Sequence, residues 1–416
     1  MVSAVESRDF PRDFLWGAAT AAHQVEGGTT NNDWWEFEHA PGTAAREPSI
    51  DGIDHYHRYA EDFALLASLG HNAHRLSVEW SRIEPAPGEF SRTALAHYRR
   101  VLTAMADLGL TGFVTLHHFT LPRWLAAQGG WLSGDAIPRF VRFIRRVVAD
   151  MGDLMPFVCN INEPQMVALH GYLEGYHPPG LTNPTLWKRV SRLLLDAHHS
   201  AVEAVHTGHP ACRVGLTVQM PVLAPARDDA TCRAFRDLMH GELTDLFLDG
   251  LTGPDRGDWL GVQYYRKQWV DPALPTLFAN PPPGWQRTQM GWAVYPDGLR
   301  QVLHAAARTG LPLYVTENGI ATDDDQERLA YLQTHVGALA HALAEGVDVR
   351  GYLHWSAFDN FEWAEGYRPK FGLIAVDRAT GFARKPKPSA HAFARLAATG
   401  SVQALRQPDI VHRRRG

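Results

Sequence analysis

The sequence predicts one (β/α)8 barrel over residues 1–416, and three observations carry that prediction. Compact apolar runs alternate along the chain with longer segments of helical period. Counting from the N-terminus, the strand-like runs number eight. No Ser/Gly-rich linker or low-complexity block divides the chain, which favours a single domain with a short flexible N-terminus and a basic tail at His412–Arg415.

The first run is Phe14–Thr20 (FLWGAAT). The helical segment Asp54–Leu69 then sets Tyr56, Tyr59, Phe63 and Leu66 at three- and four-residue steps, which makes one apolar helix face. Thr93–Leu108 does the same with Leu95, Tyr98, Val101, Leu102 and Met105, and Asp135–Met151 with Phe140, Val141, Ile144, Val147 and Val148. Seven segments stop at a glycine (Gly70, Gly109, Gly152, Gly208, Gly250, Gly310 and Gly346), the residue that takes a left-handed helix cap at little steric cost. After each comes a run suited to a strand buried on both faces: His74–Trp80, Gly112–His117, Pro156–Ile161, Arg213–Val218, Trp259–Tyr264, Leu313–Thr316 and Gly351–Trp355. Such a barrel reaches past about 400 residues when loops are long. A doubly wound open sheet is the alternative, weakened by the lack of a Gly-rich phosphate loop after the first strand.

Composition narrows the function. A net charge of −5 over 416 residues gives no reason to expect a nucleic-acid or anionic-membrane partner. No apolar stretch is long enough to span a bilayer, and the N-terminus lacks the charged-then-apolar pattern of a secretory signal. Three cysteines (Cys159, Cys212, Cys232) make neither a disulfide framework nor a zinc site, so a reducing, cytoplasmic setting is expected. The 22 histidines are scattered without metal-ligand spacing, so no metal and no cofactor is expected.

In a (β/α)8 barrel the active site forms at the C-terminal ends of the strands. Those ends carry Gln24, Arg75, the pair His117-His118, Asn162 and Glu163, the pair Tyr264-Tyr265, Glu317 and Trp355, followed by Glu362 and Trp363. Two carboxylates on near-opposite strands, among amides, imidazole and indoles, suit a sugar. Each carboxylate alone could belong to a structural ion pair, and Arg75 could pair with Glu79 instead of Glu317. Trp34, Trp35 and Trp131 are equally compatible with packing. The proline-rich stretch Ala279–Trp285 (ANPPPGW) reads as an active-site loop.

The motifs "NINEP" (Asn160–Pro164) and "YVTENG" (Tyr314–Gly319) resemble the paired carboxylate motifs of family-one glycoside hydrolases, the retaining β-glucosidases. "FLWGAATAAHQVEG", "HRLSVEWSRIEP", "TLHHFTLPRWL", "MGWAVYP" and "NFEWAEGYRPKFG" extend the resemblance along the chain. The resemblance implies that Glu163 is the general acid/base and Glu317 the nucleophile. It implies that Gln24, His118, Asn162, Glu362 and Trp363 hold sugar hydroxyls, that Trp355 forms a stacking floor, and that Arg75 and Tyr265 lie against Glu317. The substrates expected are small β-glycosides or oligosaccharides, with no cofactor. Retention would place the two carboxyl groups about 5–5.5 Å apart.

Three positions depart from the family pattern: Asn160 where threonine is common, Gln263 where asparagine is common, and Phe119 where many members have tryptophan. A 6-phospho-β-glycosidase, to which Lys370 would contribute, and a catalytically silent sugar-binding protein are the alternatives. Glu362 would repel a phosphate, and both carboxylates are present.

Overall fold

In a computed structural model that describes residues 9–406, eight parallel strands close into a barrel. They are β1 (Leu15–Ala19), β2 (Ala73–Ser77), β3 (Thr111–His117), β4 (Phe157–Asn162), β5 (Arg213–Gln219), β6 (Trp259–Gln263), β7 (Leu313–Asn318) and β8 (Val349–Trp355). Each pairs with its neighbours in sequence, and β1 closes the ring against β8. The fold is therefore the (β/α)8 barrel expected, not the open sheet. The expected flexible N-terminus and the basic tail at His412–Arg415 lie outside the described residues.

Helices stand where the apolar period places them, at His55–Ser68, Arg92–Asp107 and Ala136–Met151. The second buries all five of its predicted positions. In the third, Phe143 joins the buried face and Val141 sits at its edge. In the first, Tyr56 and Tyr59 are only half-buried, while Asp62 on the same helix is buried and accepts from His55 (2.8 Å) and Arg384 (2.7 Å). Strand β2 ends before Trp80, which opens a short helix capped by Glu79.

The glycine stops divide into two kinds. Gly70, Gly109, Gly310 and Gly346 have φ between 67° and 91°, the left-handed conformation expected of a cap. Gly152, Gly208 and Gly250 do not. A Cβ on them would lie 2.9 Å from His209, 2.8 Å from Val148 and 2.5 Å from Leu195, so these glycines permit close packing between elements.

The lower end of the barrel is filled by Leu15, Ala73, Phe113, Phe157, Cys159, Trp259, Tyr314 and Leu353, with Phe113 and Phe157 stacked at 4.2 Å. Above this plug the inward positions turn polar. Two irregularities set that change. On β4, Cys159 pairs with Gly215 and Asn162 with Thr217, so β4 carries one extra residue against β5. On β7, Val315 pairs with Val262 and Glu317 with Gln263, again one extra residue. Strict alternation from Cys159 would point Ile161 inward; the bulge sends Ile161 to the outer core and turns Asn162 in. Alternation from Tyr314 would likewise favour Asn318. Instead Glu317 faces inward, while Asn318 turns out to bond Tyr264 (2.6 Å) and Tyr331 (2.9 Å).

Candidate active site

A cavity of about 500 Å³ opens at the C-terminal end of the strands. Glu163 and Glu317 both face it, and both are nearly buried (5% and 4% exposed). Their surroundings differ sharply. Glu317 accepts from the Arg75 guanidinium, from Tyr265 Oη (2.6 Å) and from Gln263 Nε2 (2.7 Å). The Glu163 carboxyl accepts no hydrogen bond from any described residue. Burial pushes Glu163 well above the ordinary carboxylate range, and the neighbouring Glu317 charge pushes it the same way. Burial holds Glu317 above the ordinary carboxylate range too, but Arg75, Tyr265 and Gln263 pull against it, and no such hydrogen-bond donor acts on Glu163.

The backbone of Glu163 is unusual. It adopts φ 45° and ψ 59°, a left-handed conformation rare for a residue with a side chain, and donates its N–H to Thr217 O (2.9 Å). Pro164 starts a helix immediately after it. That turn holds the carboxyl at the end of β4, over the cavity.

Asn162 ties the floor together. Its Oδ1 accepts from Arg75 (2.5 Å), Gln263 (3.0 Å) and Thr217 (3.1 Å), which turns Nδ2 toward His118 (3.3 Å). His118 is kept neutral by burial, and its Nδ1 is buried without a partner. Its ring lies nearly parallel to Trp355 (17°) and Trp363 (14°) on the same wall. Glu362 faces the cavity as well; burial, reinforced by Glu317, raises its carboxyl to about 8.

With this geometry in place, the comparisons with known proteins are specific. The family model of Glycosyl hydrolase family 1 matches residues 6–251 and 255–401. The chain belongs to glycosyl hydrolase family 1. It is a glycoside hydrolase of that family. It is 32% identical to Beta-glucosidase A of Thermotoga maritima, over 90% of this chain and 94% of that protein. It is 33% identical to the bifunctional beta-D-glucosidase/beta-D-fucosidase of Bifidobacterium breve, over 88% and 94%. The solved beta-glycosidase from Pyrococcus horikoshii superposes with a TM-score of 0.88 at 34% identity, covering 96% of this chain and 98% of that one.

Of the positions singled out from sequence in this family-1 chain, His118, Asn162, Glu163, Tyr265, Glu317, Trp355, Glu362 and Trp363 line the one cavity. Arg75 and Gln24, both fully buried, lie a layer behind it. Arg75 pairs with Glu317; Glu79, its rival partner, bonds Ser81 and Thr120 instead. Gln24 reaches Glu362 (3.5 Å) and Phe361 O (2.7 Å), leaving its Oε1 without a partner. His117 turns away, against Trp131 and Phe140. Trp34 packs behind Trp363 (4.8 Å), and Trp35 lies against His39.

Other expectations need correction. The stretch Ala279–Trp285 is not on the cavity wall: Trp285 packs on Trp269, and the wall is made by flanking Pro275, Thr276, Met290 and Trp292. Asn160 faces His198 (2.9 Å) on the outer side of β4, so it does not touch the site. Gln263, where asparagine is common in the family, binds Glu317 and Asn162. Sequence reasoning missed Arg266, Trp292 and Gln219 on the wall. Arg266 follows the tyrosine pair directly, and a cation at that strand end was the available signal.

Among the described residues no group of His, Cys, Asp and Glu could hold a metal ion, and no helix is long and apolar enough to cross a membrane.

Proposed function

We propose that this family-1 glycosidase is a retaining β-glucosidase that removes terminal, non-reducing β-D-glucosyl units by double displacement. The observation that carries this is the asymmetry of the two carboxyls in one cavity: three donors converge on Glu317 and none on Glu163. The charge therefore rests on Glu317 and the proton on Glu163.

Glu317 attacks the anomeric carbon while Glu163 gives its proton to the departing glycosidic oxygen. The product of this step is a covalent glycosyl-enzyme, in which Glu317 is an ester and its charge is gone. Glu163, now ionised, takes a proton from the incoming water, which attacks the same carbon and releases Glu317. Two inversions give net retention.

Binding follows from the same wall. The three donors on Asn162 Oδ1 leave its Nδ2 to meet the 2-hydroxyl, a bond that strengthens in the transition state. The unpartnered His118 Nδ1 and Glu362, which Gln24 braces from behind, suit the remaining hydroxyls, and Trp355 and Trp363 suit the C–H faces of the ring. Glu362 tolerates more than one hydroxyl orientation, so galactosides and fucosides are expected as weaker substrates. Nothing favours a 6-phosphate: Lys370 Nζ donates to Tyr367 O (2.7 Å) and is not on the wall. Three buried, unpaired cysteines agree with a cytoplasmic setting.

Proton NMR of para-nitrophenyl β-glucoside hydrolysis tests the reading. β-Glucose should form first and mutarotate afterwards. If α-glucose came first, the double displacement would be refuted.

A further inference from the structure

The acids and bases at the cavity mouth are nearly all matched. Glu174 pairs with His170 (2.5 Å), and Glu365 with Arg46 (3.1 Å) and Arg368 (2.7 Å). Besides Glu163, the exception is Arg266. It lines the cavity, donates no hydrogen bond and makes no ion pair with any described residue, and its Nε is buried without a partner. Its guanidinium lies over the Trp292 ring at 4.3 Å, and Trp292 in turn packs against Tyr265 (5.5 Å). The main chain is fixed here, since Arg266 O accepts from Val222 N (3.2 Å) beside β6.

Its position along the cavity decides what it can meet. In the reading proposed above, the glucosyl ring lies between Glu317, Trp355 and Glu362. Glu163 must stand beside the oxygen that leaves, so groups clustered with Glu163 toward the opening face the leaving group. Arg266 is one of these: the acidic groups acting on it are Glu174, Glu163 and Tyr176. Burial outweighs their attraction and draws the guanidinium down to about 10, which leaves its charge poorly compensated. A half-buried cation without a partner costs free energy that an anion could recover. A planar fork held over an indole best matches a planar carboxylate, bound through two parallel hydrogen bonds. Trp292, Met290 and Tyr176 supply apolar surface for an aromatic ring on the same side of the cavity.

We infer that Arg266 determines leaving-group specificity, selecting β-glucosides whose aglycone is a flat aryl group bearing a carboxylate. This rests on the β-glucosidase reading above.

The test compares the β-glucosides of 4-hydroxybenzoate and of its methyl ester, with wild type, Arg266→Met and Arg266→Lys. Arg266→Met should lower kcat/KM for the carboxylate substrate about tenfold more than for the ester, the worth of a charge-assisted hydrogen bond. Arg266→Lys, which keeps the charge and loses the fork, should recover part of that difference. Wild type alone gives a second measurement: free 4-hydroxybenzoate should inhibit more strongly than its methyl ester. Equal losses on both glucosides, or equal inhibition by acid and ester, would overturn the inference while leaving the β-glucosidase reading intact. A wild type that cleaves neither these nor para-nitrophenyl β-glucoside would refute the reading itself.

Discussion

Tyr265→Phe removes one oxygen from the protein and isolates the link between Glu317's environment and its reactivity. The lost group is the hydroxyl that donates to Glu317 Oε2 at 2.6 Å, with both residues about 5% exposed or less. Burial and the Glu317 charge push the tyrosine well above its ordinary range, so it is a donor at every working pH. A charge-assisted hydrogen bond in such a place is worth about 1.5–3 kcal/mol to the ionised form. At about 1.4 kcal/mol per unit, the Glu317 proton affinity should rise by about 1–2 pH units. In the proposed mechanism Glu317 reacts as the carboxylate, so activity is lost as pH falls through that value. The acidic limb of the kcat/KM profile should therefore move to higher pH by that amount, and activity at pH 5 should fall further than at pH 7. Arg75 and Gln263 remain in place, so ionisation is weakened and not abolished. The profile belongs to the coupled pair, and the alkaline limb, dominated by Glu163, should stay nearly where it was. The measurement is initial-rate hydrolysis of para-nitrophenyl β-glucoside from pH 4 to 9. A uniform fall in rate with both limbs unmoved would refute the reasoning and place Tyr265 on the sugar instead.

Three further outcomes are expected. Glu317→Gly should abolish hydrolysis, with azide restoring turnover and giving the α-glucosyl azide, whereas Glu163→Ala should still act on activated aryl glucosides and give the β-azide; product NMR distinguishes the two. Gly261→Ala should destabilise the barrel by about 1–3 kcal/mol in urea unfolding, because the added carbon would stand 2.5 Å from Thr217 Cγ2 and 2.7 Å from Thr316 Oγ1. Asp62→Asn should cost about 3–5 kcal/mol, since it strips the buried partner from Arg384 and His55. Burial alone would raise Asp62, but the hydrogen bonds from His55 and Arg384 outweigh it and hold the carboxyl low. Its stabilising effect is therefore complete above the ordinary carboxylate range and fades as pH falls through the depressed value. Unfolding measured from pH 7 downward should show the gap between wild type and variant narrowing below about pH 4.

The barrel was legible because its signals are periodic. Leu95, Tyr98, Val101, Leu102 and Met105 repeat at helical steps, and apolar runs such as Arg213–Val218 suit a strand covered on both faces. The site was legible from motifs whose polar residues fall at strand ends. What escaped has physical reasons. A bulge shifts the inward phase by one residue without altering composition, so alternation along "FVCNIN" points to the wrong side chain. Gly152, Gly208 and Gly250 serve contacts with His209, Val148 and Leu195, which are distant in sequence and leave no local trace. Asn160 and Gln263 both differ from the family habit, yet only Gln263 lies inside the barrel, and nothing in the substitution itself tells the two apart. Arg266 was passed over because strand-end reading stopped at the two tyrosines before it.

The extra residues on β4 and β7 mean that the aim of this chemistry is set by main-chain length more than by side-chain identity. Excising one residue from either strand would rotate Asn162 or Glu317 into the helical shell while keeping the same neighbours in sequence. The plug of aromatic rings beneath would be untouched. On the proposed mechanism such a protein would lose its hydrolytic centre with every other side chain still present, an outcome that a survey restricted to point substitutions would never encounter.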